Sequence, residues 1–123
     1  MKRAAATLAI LLALPGASKD PLAGRVAGTP VRCISDDTFS GPTIVDRNTI
    51  IYNRSGRRLW VVHPTGQCPS LRPLNTLVIE KWGSGTCAND RFRVLEPGTT
   101  IPSAYCRFGK FVPYDAPAKQ PAR

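Results

Sequence analysis

The sequence predicts an all-β fold: a small disulfide-bonded barrel or sandwich of short antiparallel strands, with little helix. Three observations carry that prediction. Short runs rich in β-branched and aromatic residues recur along the chain, as in Thr49-Ile50-Ile51-Tyr52 and Leu59-Trp60-Val61-Val62, and Gly, Pro, Asn or Ser punctuate them. Beyond the first 18 residues, no stretch sustains apolar positions at helical spacing with caps at its ends. Four cysteines are spread among these runs, which suits a domain too small to rely on its core alone.

The 123-residue chain opens with Lys2 and Arg3, an apolar run from Ala4 to Leu14, and then Pro15-Gly16-Ala17-Ser18. A positive start, an apolar middle and small residues at the end make the pattern of a secretory signal peptide. The apolar run falls short of the roughly 20 residues that a bilayer-spanning helix needs. Residues 1–18 are therefore expected to leave on export, and losing Lys2 and Arg3 lowers the formal charge of +9 by two. Residues 19–30 mix Pro and Gly without apolar periodicity and are expected as a mobile lead-in. A single β domain over 31–114 and a disordered tail over 115–123 complete the expected organisation.

Within the domain, Val31 to Ile34 reads as a short strand, and Asp36-Asp37-Thr38 and Ser40-Gly41-Pro42 carry turn chemistry. Asn48 to Asn53 and Arg58 to His63 form a hairpin around Arg54-Ser55-Gly56-Arg57. The unbroken apolar run Leu59 to Val62 predicts a strand covered on both faces. Pro64 is expected to end it, and Cys68 to Pro73 holds too many prolines for a sheet interior. Thr76 to Trp82 returns to strand character, with Leu77 and Ile79 on one face and Val78, Glu80 and Trp82 on the other. Gly83-Ser84-Gly85 turns the chain, and Arg91 to Leu95 alternates with Phe92 and Val94 inward. Tyr105 to Phe108 and Lys110 to Tyr114 flank Gly109, the expected site of a bulge or bend.

Cys33, Cys68, Cys87 and Cys106 all follow the signal-like segment, and an even count in an exported chain predicts two disulfides. A structural zinc site draws on closely spaced cysteine pairs, and none occurs, so no metal and no cofactor is expected. The expected pairing is Cys33–Cys68 with Cys87–Cys106; the other two connectivities stay open at this level.

Arg32-Cys33-Ile34, Asn48-Thr49-Ile50-Ile51-Tyr52, Cys68-Pro69-x-Leu71, Cys87-x-x-Asp90-x-Phe92 and Cys106-Arg107-Phe108-Gly109-Lys110-Phe111, in that order, resemble a group of small exported proteobacterial proteins of unknown function. The resemblance covers about residues 31–114. It implies a bacterial periplasmic protein and brings no catalytic residue with it.

No phosphate-cradling glycine motif, G-x-S-x-G elbow or H-E-x-x-H occurs, and Asp36-Asp37 lacks the alternating acids and central glycine of a calcium loop. His63, the only histidine, reads as a strand-end residue bonded to backbone, with a small secreted ribonuclease-like hydrolase as the alternative. The basic balance is the better guide. Arg54, Arg57 and Arg58 gather at the hairpin turn beside Trp60 and form the candidate binding site, which Arg91, Arg93 and Arg107 would extend if their strands adjoin. Trp60 and Trp82 themselves read more readily as core than as binding platforms. The expected function is a non-enzymatic, monomeric binding or structural module of the periplasm or extracellular space. Its expected partner is an anionic cell-envelope polymer or an acidic protein, with nucleic acid not expected after export. A periplasmic enzyme inhibitor, suited to an acidic target, is a further alternative.

Overall fold

A computed structural model describes residues 20–35, 39–54 and 57–117, excepting the side chains at 39, 40, 53 and 54. The signal-like segment 1–18, Asp36 and Asp37, and the tail from 118 onward lie outside the described residues. The chain is all-β and antiparallel, with strands β1 (Val26–Ala27), β2 (Cys33–Ser35), β3 (Phe39–Asp46), β4 (Thr49–Arg54), β5 (Arg58–Thr65), β6 (Thr76–Ile79), β7 (Gly85–Cys87), β8 (Arg91–Leu95) and β9 (Cys106–Asp115). The main sheet runs β3-β4-β5-β9-β8-β6, with β1 also on β9, and curls into a nearly closed barrel; β2 and β7 form a separate pair. Among the described residues no helix is long and apolar enough to cross a membrane.

The central hairpin forms because β4 and β5 place alternate side chains on two apolar faces. Ile50, Tyr52, Trp60 and Val62 face the barrel interior, where they meet Phe92, Val94, Phe108 and Phe111. Ile51, Leu59 and Val61 face the other way and are buried too, under Leu22, Val45 and Tyr114. The run Leu59 to Val62 is therefore covered on both sides, as its composition predicts. Fully burying a side chain of this size contributes about 1.5–3 kcal/mol.

Part of the cover on the second face comes from Leu22, in the segment expected as a mobile lead-in, and that segment is paired along β9. Val26 and Ala27 pair with Asp115 and Tyr114, Gly28 N donates to Pro113 O at 2.7 Å, and Val31 and Phe111 exchange two backbone bonds. β9 therefore has the lead-in along its edge at one end and β8 at the other, where Arg91 faces Arg107 and Phe92 faces Cys106. Asp115, expected in a disordered tail, is the last residue of β9 and pairs with both Val26 and Arg58.

Prolines account for further departures. Ser40-Gly41-Pro42 lies inside β3, at an irregularity between Ser40 and Thr43 on an edge strand, where a missing N–H costs little. Pro64 likewise does not end β5: the strand continues to Thr65 past a register shift after Val62. At that shift β9 spends three steps, Phe111 to Phe108, against two on β5, so the extra residue lies on β9 at Gly109 and Lys110. Gly109 is required there, because a Cβ would stand 2.7 Å from the His63 carbonyl oxygen.

The disulfides are Cys33–Cys87 and Cys68–Cys106, which corrects the expected pairing. Cys33 and Cys87 are direct partners in the antiparallel β2–β7 ladder, with Cα atoms 4.0 Å apart. Cys68, in the proline-rich turn after β5, reaches Cys106 at the start of β9 with Cα atoms 5.9 Å apart. Both bridges follow strand pairings distant in sequence, which cysteine spacing does not encode.

Candidate anion-binding site

Arg58 opens β5 directly opposite Asp115, which closes β9. The guanidinium meets the carboxylate through both oxygens, Nε to Oδ1 at 2.7 Å and Nη2 to Oδ2 at 2.9 Å, with both side chains about half exposed. This planar two-point geometry is the one that guanidinium groups favour for carboxylates and phosphates. The Arg58 carbon also lies 5.5 Å from the centre of the Trp60 ring, so the indole carries the cation on its face.

Two further arginines adjoin this pair. Arg57 directs Nη2 to the Pro117 carbonyl at 3.2 Å, and its own carbonyl accepts from Ala116 N and from Arg25 Nη1, each at 2.7 Å. Arg25 Nη1 also donates to the Tyr114 carbonyl at 3.3 Å. The bond from Arg58 is the chief reason the Asp115 carboxyl is held below its ordinary range; partial desolvation works against it, and the charges of Arg58, Arg25 and Arg57 add to it. Asp115 in turn pushes the Arg58 guanidinium further up, first through that bond and then through its charge. Three cations thus surround one anion. Beside them lies an open depression of about 340 Å³ lined by Arg57, Arg58, Asp115 and Ala116.

Among the candidate residues, Arg57 and Arg58 are brought together here. Arg54 pairs with Arg58 through the backbone, and its side chain lies outside the described residues. Trp60 is 6% exposed and sits in the core, so it supports Arg58 and presents no face to solvent. Its indole N–H is buried without an acceptor among the described residues. Trp82, read as core, is 82% exposed instead. Arg25 and Asp115 are members that sequence reasoning missed, because the lead-in and tail carry no periodicity to tie them to the hairpin.

Arg91, Arg93 and Arg107 do not extend this site. Arg107 faces Thr65 at the opposite end of the β5–β9 ladder from Asp115, eight residues and so about 25 Å away. Arg91 and Arg93 form a second cluster on the outer wall of β8. Arg91 Nη2 lies 3.0 Å and Arg93 Nη2 3.8 Å from the Glu80 carboxylate, which also accepts from the Tyr105 hydroxyl at 2.8 Å. Arg93 bonds the same hydroxyl. The two guanidinium carbons stand 4.5 and 4.0 Å from the Tyr105 ring centre.

His63 is exposed, and its Nδ1 donates to the Asn48 carbonyl at 2.5 Å, the backbone bond expected of it. No cluster of three or more His, Cys, Asp or Glu side chains suited to a metal occurs among the described residues. Comparison with protein-family models, curated proteins and solved structures finds no match to this chain.

Proposed function

We propose that the protein is a non-enzymatic binding module of the bacterial periplasm whose basic face takes anionic envelope components, with an acidic protein as the alternative partner. The observation that carries this reading is the gathering of Arg25, Arg57 and Arg58 around the single carboxylate of Asp115 at one end of the β1–β9–β5 ladder. Such a group retains net positive charge, offers guanidinium donors to planar or tetrahedral anions, and adjoins an open depression. Two disulfides fit an exported chain. The signal-like start supports the same location.

The test is retention on a phosphate-bearing column under a salt gradient. Replacing Arg25, Arg57 and Arg58 by Gln is expected to lower the eluting salt concentration well below that of a variant with Arg32, Arg47 and Arg72 replaced. Equal losses would show that only bulk charge matters and would remove the site.

A further inference from the structure

The exposed apolar side chains of this protein are not scattered. Of the six large ones in the open among the described residues, only Val26 lies away from the β6–β8 ribbon; Leu74, Val78, Trp82, Ile101 and Tyr105 sit on or beside it. Leu74 lies two residues before β6, Trp82 three residues after it, and Ile101 lies in the loop after β8 that folds back so that Ser103 N donates to Val94 O at 2.8 Å. Leu74, Ile101 and Trp82 are 91%, 83% and 82% exposed. Leu74 also holds a φ of 75°, a left-handed turn position that favours Gly or Asn, so neither packing nor backbone preference accounts for a leucine there. β6 is an edge of the main sheet.

The same ribbon is basic. Arg91 and Arg93 flank Tyr105; Glu80 balances one of them, and Arg107 stands opposite Arg91 in the neighbouring strand.

We propose that the β6–β8 edge docks on an anionic phospholipid surface, with Leu74, Trp82 and Ile101 entering the interfacial layer and Arg91 and Arg93 meeting lipid phosphates. The proposal rests on the reading of this protein as a binder of anionic envelope material and gives it a face separate from the Arg25–Arg57–Arg58 site. A lipid surface suits the observations better than a protein partner. A fluid interface needs no matching shape. It accepts separate protruding aromatic and aliphatic groups with cations behind them, and the net positive charge of the chain draws it to anionic lipid.

The two tryptophans make the test site-specific, since Trp60 is buried and Trp82 is in water. The full chain with its disulfides formed is mixed with phosphatidylglycerol vesicles, with phosphatidylcholine vesicles, and with polyglutamate. The expected result is a shift of emission to shorter wavelength on phosphatidylglycerol alone, absent in Trp82→Phe. Partition is expected to fall about fivefold for each of Arg91 and Arg93 replaced by Gln. Leu74→Ser with Ile101→Ser, at two largely exposed side chains, should lower it about tenfold. Unchanged emission on phosphatidylglycerol overturns the proposal, as does an equal shift on phosphatidylcholine or a shift produced by polyglutamate only. Vesicle binding with unchanged Trp82 emission, abolished by replacing Arg25, Arg57 and Arg58, overturns this face and leaves the other site standing. Failure of both assays removes both.

Discussion

Arg58 and Asp115 are the terminal rung of the β5–β9 ladder, and their two-point ion pair joins strand ends 57 residues apart in sequence. The carboxylate occupies the donors that an incoming anion would use. Asp115 is thus a competitor built into the candidate site.

Asp115→Asn should accordingly strengthen retention on a phosphate column, by about two- to fivefold in apparent affinity, because the amide still accepts from Arg58 but no longer offsets its charge. Unchanged or weaker retention would mean that the ion pair shapes the site and does not compete for it.

The lowered titration of Asp115 also fixes a sign for acid sensitivity. Its contribution to stability is fully present above the ordinary aspartate range of about 4 and is lost as pH falls through its depressed value. Since the pair is half exposed, the effect is small. Thermal melts across this acid range should fall slightly more steeply for the parent protein than for Asp115→Asn, and parallel curves would contradict the coupling.

Each disulfide closes a long loop, its partners standing 54 and 38 positions apart in sequence. Replacing either pair by Ser should cost about 3–4 kcal/mol in denaturant unfolding, mainly by freeing the unfolded chain. Peptide mapping without reduction should recover Cys33 linked to Cys87 and Cys68 linked to Cys106.

At Gly109 the backbone of β9 passes too close to the His63 carbonyl for a side chain. Gly109→Ala is expected to destabilise by about 1–3 kcal/mol. Gly41→Ala, where an added Cβ meets nothing within 4 Å, should stay within about 0.5 kcal/mol of the parent. Similar midpoints for the two variants would show that β9 can shift to make room.

Leu22 shields Ile51, Leu59 and Val61 from water. Leu22→Ser should lower stability by roughly 1 kcal/mol and speed hydrogen exchange at Gly28 and Val31, whose amides bond to β9. Unaltered exchange would show that the lead-in is held by its backbone bonds alone.

Local pattern carries much of this fold. β8 has the predicted bounds and orientation, because Phe92 and Val94 alternate with arginines and nothing in the chain competes with that signal. The β4–β5 hairpin is as plain, since two apolar faces leave no other arrangement for Leu59 to Val62. What the residues did not reveal is non-local. Pro42 and Pro64 read as breaks because their tolerance depends on a sheet edge and on a bulge, both set by partner strands. Arg57 and Arg58 mark the candidate site through the hairpin turn, but Arg25 and Asp115 join it only when β1 and β5 both pair with the end of β9. Trp82 misleads in the other direction: a large aromatic residue reads as core, yet β6 ends before it and it stands in the open.

The order of the bridges along the chain has one more consequence. Because the Cys33–Cys87 span and the Cys68–Cys106 span overlap, together they cover every peptide bond from Cys33 to Cys106. A protease that cuts once anywhere in that interval leaves the two fragments covalently joined and held by the same sheet. Bridges between sequence neighbours, Cys33 to Cys68 and Cys87 to Cys106, would have left the stretch from 68 to 87 as a place where one cut divides the molecule. The crossed connectivity makes the interval from Cys33 to Cys106 tolerant of a single nick, and a piece of it leaves only after a second cut or a reductant.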